Sequence, residues 1–342
     1  MRRVMRSVLT GLDVALERLP WRLARIGLVT HDPAVTGDGR TSRQALLDAG
    51  SRLVRLFAPE HGIRAAAREG AHIADAADPL TGLAVVSLYG RRRAPSDEDL
   101  DGLDALVVDL QDVGARCYTY LSTLMLCLEA AAKAGLPVWV LDRPNPVTGL
   151  HAEGLIRREG FGSFVGRLPI PMRHAMTFGE LATWARPEAL DLHVVEMRGW
   201  RRALWWDGTG RDWVPPSPNI PDPDTALAYL ATVYLEGTGW SEGRGTSRPF
   251  VTVGGPEHPI TVGWEDRERF RPIAEGIRIL AGLVGRDGPR WTDQGRTLDL
   301  LFGSDALRLT LEAGRPVDAL IEQADREGRA FTASVAQHHL YA

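Results

Sequence analysis

The sequence predicts an α/β fold built on a parallel sheet covered by helices on both faces. Strand-length apolar runs alternate with segments of helical spacing. Each run ends abruptly in a polar cluster. Right-handed crossovers place such strand ends on one edge, where open α/β sheets hold their ligands. The clusters expected to converge there are Glu60-His61, Gln111-Asp112-Arg116 and Asp142-Arg143-Asn145.

The elements follow in order. The opening residues, through Arg18, read as an amphipathic helix, because Asp13 and Glu17 interrupt the apolar run. Ile26 to Thr30 is the first strand. Thr41 is placed to cap a helix that runs to Ala49 and stops at Gly50. Leu53 to Phe57 is the central strand, ended by Pro59, which has no N–H for a ladder. Arg64 to Leu80 has no period and is expected to arch over the site. Leu83 to Tyr89, Ala105 to Leu110 and Pro137 to Leu141 are further strands. Ser96 caps a short acidic helix, Asp97 to Leu103, and Tyr118 to Ala134 is a longer helix ending at Gly135. Thr177 and Glu180 form a capping-box pair, and Leu192 to Met197 is a sixth strand. Trp213 to Pro223 is too rich in proline for a helix or sheet interior. Helices are expected at Asp224 to Leu235, Pro272 to Leu283, Ser304 to Ala313 and Pro316 to Arg326. A boundary near residue 222 divides the chain into 1–222 and 223–342.

Composition excludes several function classes. A net charge of −4 argues against a nucleic-acid binder. Lys133 is the single lysine, so no G-x-x-x-x-G-K phosphate loop exists, and no G-x-G-x-x-G follows the first strand. Two cysteines, Cys117 and Cys127, are too few for a disulfide framework or a zinc site of their own. No stretch reaches the ~20 apolar residues of a membrane span.

The runs L-F-A-P-E-H-G (Leu56 to Gly62), T-G-L-A-V-V-S-L-Y-G (Thr81 to Gly90), D-L-Q-D-V-G-A-R-C-Y-T-Y (Asp109 to Tyr120), D-R-P-N-P (Asp142 to Pro146), P-S-P-N-I-P (Pro216 to Pro221) and S-E-G-R-G-T-S-R-P-F (Ser241 to Phe250) occur in that order. Together they resemble the exo-β-N-acetylmuramidase family NamZ, formerly the uncharacterised family DUF1343. The resemblance runs from about Gly27 to Phe250 and weakly beyond. It implies a Rossmann-like domain (1–222), a smaller α+β C-terminal domain (223–342) and a cleft between them. It also implies a glycosidase that releases N-acetylmuramic acid from non-reducing ends of peptidoglycan fragments, with no cofactor and no metal. The chain departs from the family where Val251 to Trp264 bridges a normally longer segment, so the C-terminal domain is expected to be reduced. Export is common in that family, but no convincing signal peptide opens this sequence, and a cytoplasmic location is expected. The expected partner is a peptidoglycan-derived saccharide, with neither nucleic acid nor membrane.

Glycoside hydrolysis needs a proton for the leaving oxygen and a second group to stabilise the oxocarbenium-like state, usually two carboxyls. Glu60 is the candidate acid, a role that partial burial favours. His61 is a candidate to orient it or to bind a sugar hydroxyl, and is otherwise a structural histidine bonded to backbone. Asp112 is the first candidate for the second carboxylate and Glu242 the next; each is otherwise a structural ion-pair partner, of Arg116 and Arg244 respectively. The substrate's own acetamido group is a further candidate nucleophile. Arg116, Arg143 and Arg244 are candidates to bind the lactyl carboxylate of muramic acid through paired hydrogen bonds. If the chain is extended there, Tyr118 and Tyr120 share a face for stacking on a sugar ring; in a helix they point apart and one of them joins the core. Asn145, Ser217 and Asn219, in proline-stiffened loops, are candidates for sugar hydroxyls. The alternative to an enzyme is a non-catalytic muropeptide-binding protein.

Overall fold

The computed structural model describes residues 7–342, so the first six residues of the expected N-terminal helix lie outside the described residues. The helix itself is Gly11–Glu17 (α1), opened by a Thr10–Asp13 capping box. Arg25–Thr30 (β1), Ser42–Asp48 (α2) and Arg52–Ala58 (β2) follow. Next come Ala76–Ala77 (β3), Ala84–Ser87 (β4), Asp97–Leu100 (α3) and Ala105–Asp109 (β5). Thr119–Ala134 (α4), Val138–Leu141 (β6), Phe178–Ala185 (α5) and Leu192–Val195 (β7) complete the sheet region.

These strands form one seven-stranded sheet in the order β3-β4-β2-β1-β5-β6-β7. Only β3 runs antiparallel to its neighbour. The chain builds outward from β1 to β4, then returns to place β5 against the other side of β1. This is the doubly wound order, with its switch point between β1 and β5. Every residue of β5 is buried, as a strand covered on both faces requires.

The remainder comprises Pro223–Thr232 (α6), the hairpin Thr252–Val253 (β8) and Ile260–Thr261 (β9), and Pro272–Asp287 (α7). Arg296–Phe302 (α8), Ala306–Glu312 (α9) and Asp318–Val335 (α10) follow. The small antiparallel β8–β9 pair with these helices is the second, α+β part. One apolar core runs across residue 222, joining Phe57, Val108 and Leu121 to Leu227, Ile277 and Phe331. Two-residue strands carry no periodicity, and α8 spans only seven residues between glycines. Neither β3, the β8–β9 pair nor α8 was therefore legible from pattern alone. Lys133, in the last turn of α4, pairs with exposed Asp97 at 2.8 Å.

Asp142, just past β6, joins three distant parts of the chain. Its carboxylate accepts from Thr177 Oγ1 at 2.6 Å, Gly179 N at 2.8 Å and Tyr341 Oη at 2.6 Å. Burial nevertheless pushes its carboxyl up from 3.8 to about 6. A pKa raised in the folded state means that the native chain binds the extra proton. The associated stability is present below about pH 4 and is lost as pH rises through about 6. The unfolding free energy of wild type, measured in urea relative to Asp142→Asn, is expected to fall by about 2–3 kcal/mol from pH 4 to pH 7. A constant or rising difference would contradict this account.

Candidate active site

A cleft of about 290 Å³ opens on the carboxyl edge of the sheet, beside the ends of β2 and β4 and the first turn of α4. The end of β2 supplies Glu60 and His61, β4 leads to Tyr89, and α4 begins at Thr119. The opposite wall comes from Tyr229 on α6, Glu236 just beyond it, and Arg244 and Phe250 of the glycine-dense loop.

Glu60 is buried and held from two sides. Thr119 Oγ1 donates to its Oε2 at 2.6 Å, and the Gly70 N–H donates to its Oε1 at 2.9 Å. The Tyr89 phenol is pushed up to about 12, first by burial and then by Glu60 beside it. His61 lines the same wall with a positive φ of 67°. Its Nδ1 lies 2.7 Å from the Ala67 carbonyl, which can only accept, so Nδ1 carries the proton and Nε2 is the free ring nitrogen. Tyr118 lines the cleft with its ring edge-on to Tyr120 at 4.6 Å, while Tyr120 donates to the Pro216 carbonyl at 2.6 Å. Cys117 also reaches the cleft. Burial raises its thiol to about 12, which leaves no thiolate nucleophile at neutral pH.

Arg244 is the guanidinium of the opposite wall. Its Nη2 donates to Glu236 Oε1 at 2.7 Å, its Nη1 to Glu242 Oε1 at 3.1 Å, and it lies 4.8 Å over the Phe250 ring. Burial works against this cation, but Glu236 foremost holds its pKa raised. The loop that carries it depends on Gly243, with φ 85°, where a Cβ would lie 2.4 Å from the Thr252 carbonyl oxygen. Burial raises the Glu236 carboxyl; Arg244 opposes the rise, and the charges of Glu242 and Glu60 add to it. Glu236 and Glu60 line the same cleft.

Several expected site residues lie elsewhere, for one reason. The crevice at the β1–β5 switch is closed by the protein's own polar groups. Arg143 forms a buried bidentate pair with Asp109, at 2.5 and 2.9 Å, and donates to the Val35 carbonyl at 3.1 Å. Asn145 donates to the Met176 carbonyl and accepts from the Val147 N–H. Asp112 accepts from Gly114 N at 2.9 Å and meets His174 Nε2 at 3.1 Å, so its partner is not Arg116. Arg116 is fully buried and donates to the carbonyls of Leu155, Ile170 and Leu301. None of these four lines the cleft. Glu242 also stands behind the wall, as a partner of Arg244.

Glu60, His61, Tyr118, Ser217, Asn219 and Arg244 do line it. Among the described residues the carboxylates on its wall are Glu60, Glu69 and Glu236. Glu69 and Glu236 escaped the sequence reading. Glu69 lies in the Arg64 to Leu80 excursion expected to arch over the site. Glu236 opens the glycine-dense run, and that position was its only signal.

Two family models match the chain. The N-terminal part of the exo-beta-N-acetylmuramidase NamZ covers residues 26–224, and its C-terminal part covers residues 227–262. The chain is 43% identical, over 380 aligned positions, to the peptidoglycan beta-N-acetylmuramidase NamZ of Bacillus subtilis (strain 168); these cover 98% of this chain and 92% of that protein. The aligned length exceeds this chain's 342 residues, so the relative carries residues that this chain lacks. Two crystal structures of DUF1343 family proteins from Bacteroides fragilis NCTC 9343 are similar throughout. One has a TM-score of 0.90 at 28% identity, covering 99% of this chain and 100% of that one. The other has a TM-score of 0.82 at 26% identity, covering 98% and 99%.

Proposed function

This chain belongs to the exo-β-N-acetylmuramidase NamZ family, and on that premise we propose that it is an exo-acting glycoside hydrolase that releases N-acetylmuramic acid from the non-reducing ends of peptidoglycan fragments. The observation that carries the reading is that Glu60 and Glu236 both line one partly enclosed cleft with an arginine on its wall. Glu60 is the general acid that protonates the leaving oxygen. Glu236, whose Oε1 is oriented by Arg244, is the second carboxylate in place of Asp112 or Glu242. Tyr118 supplies apolar ring surface for a pyranose, and Ser217 and Asn219 supply polar groups for its hydroxyls.

The test is release of 4-nitrophenol from the 4-nitrophenyl β-glycoside of N-acetylmuramic acid by the intact chain. Turnover of that glycoside, with little on the matching N-acetylglucosaminide, is the expected result. Binding of N-acetylmuramic acid without any turnover would instead make the chain a muropeptide-binding protein.

A further inference from the structure

We infer that Glu69 occupies, in the free cleft, the cradle that receives a ligand carboxylate between Arg244 and Asn219, and that it must leave before a carboxylated sugar binds. The inference rests on the reading of this cleft as a saccharide site and adds what makes it selective for an acidic sugar.

The cradle has two donors. Asn219 Nδ2 donates to Glu69 Oε2 at 3.1 Å. Arg244 Nε faces Glu69 Oε1 at 3.6 Å, beyond hydrogen-bond range, and among the described residues that buried N–H has no hydrogen-bond partner. The two Nη groups are already bonded to Glu236 and Glu242, so the Nε edge carries the unused donor that an anion taking the place of Glu69 would meet. A buried donor without an acceptor is costly, and a carboxylate set slightly deeper than Glu69 would satisfy it.

Charge decides which group yields. Three carboxylates already surround this guanidinium, so a fourth is accepted only when one departs. Glu69 is the most exposed of the three, its side chain 44% accessible against 27% for Glu236 and 20% for Glu242. It is also the one carried on the excursion over the cleft rather than on the wall. That excursion is hooked to Glu60 by the Gly70 N–H, so displacement of Glu69 also disturbs a hydrogen bond of the candidate acid. Loading of the carboxylate cradle is thereby coupled to the catalytic carboxyl.

An internal competitor weakens apparent affinity by the fraction of time it fills the site. Glu69→Gln keeps the shape and loses the charge; Glu69→Ala removes the tenant. Calorimetry with N-acetylmuramic acid and with N-acetylglucosamine, which lacks the lactyl carboxylate, reads the difference. Both variants are expected to bind N-acetylmuramic acid about 3–10-fold more tightly than wild type, with N-acetylglucosamine unchanged. In turnover of the muramic glycoside, KM falls by a similar factor. Arg244→Lys, which loses the Nε donor, is expected to abolish the gain. Unchanged or weaker binding of N-acetylmuramic acid in both Glu69 variants would overturn the inference. Equal tightening for both sugars would overturn it too, because it would report general loop opening. Lack of turnover by wild type counts against the hydrolase reading alone, since the binding comparison needs no catalysis.

Discussion

Glu60→Gln is expected to lower kcat on a disaccharide with a natural sugar leaving group by 10²-fold or more. Glutamine keeps an oxygen to accept from Gly70 N or Thr119 Oγ1 and fills the same buried volume, so the variant should fold. What it loses is the transferable proton. A 4-nitrophenyl leaving group departs with little protonation, so the loss on that substrate should be clearly smaller. This split between leaving groups identifies an acid, whereas equal losses on both substrates would mean that Glu60 acts in some other way. Glu236→Gln is expected to cost a comparable factor on both substrates, because a base or nucleophile is needed whatever departs. Full activity in Glu236→Gln would return the role of second carboxylate to the substrate's acetamido group.

Arg116→Met is expected to destabilise the fold by about 3–5 kcal/mol, as read by urea unfolding. The guanidinium reaches the Leu155 and Ile170 carbonyls at 3.3 and 2.9 Å and the Leu301 carbonyl at 2.6 Å. Leu301 lies in the last turn of α8, where a cation also meets the negative end of the helix dipole. Gly303, with φ 82°, permits the approach, since a Cβ there would lie 2.9 Å from the guanidinium nitrogens. Burial lowers the pKa of Arg116, and among the described residues no carboxylate pairs with it. Methionine would fill much of the volume but leave three buried carbonyls without that donor. Loss of muramic-acid binding with unchanged stability would instead restore Arg116 as a ligand residue. A loss of less than about 1 kcal/mol would contradict the structural role.

The strands were legible because buried parallel strands are short apolar runs ended by polar residues, and β1, β2, β5 and β6 each fit that description. Caps were legible where a box closes locally: Ser96 and Thr177 close capping boxes with residues three positions on, whereas Thr41 stands at the start of α2 without a side-chain cap bond. Placing Glu60 at a strand end followed from the same local logic.

Chemistry at the other strand ends did not follow. Asp112, Arg116, Arg143 and Asn145 lie on the expected edge by chain position, yet each is taken up by a partner or carbonyl that only folding brings near. Asp109 meets Arg143 from 34 residues away, and Leu301 meets Arg116 from 185 residues away. An arginine's sequence neighbours do not reveal whether its donors face a ligand or distant backbone. Glu69 and Glu236 were missed for the converse reason, because one lies in an aperiodic excursion and the other past a helix end. By itself the sequence determined the fold class, the strand that carries Glu60 and the family. Which charged groups were left facing open space was decided by the tertiary structure, because burial and pairing are set by contacts across the whole chain.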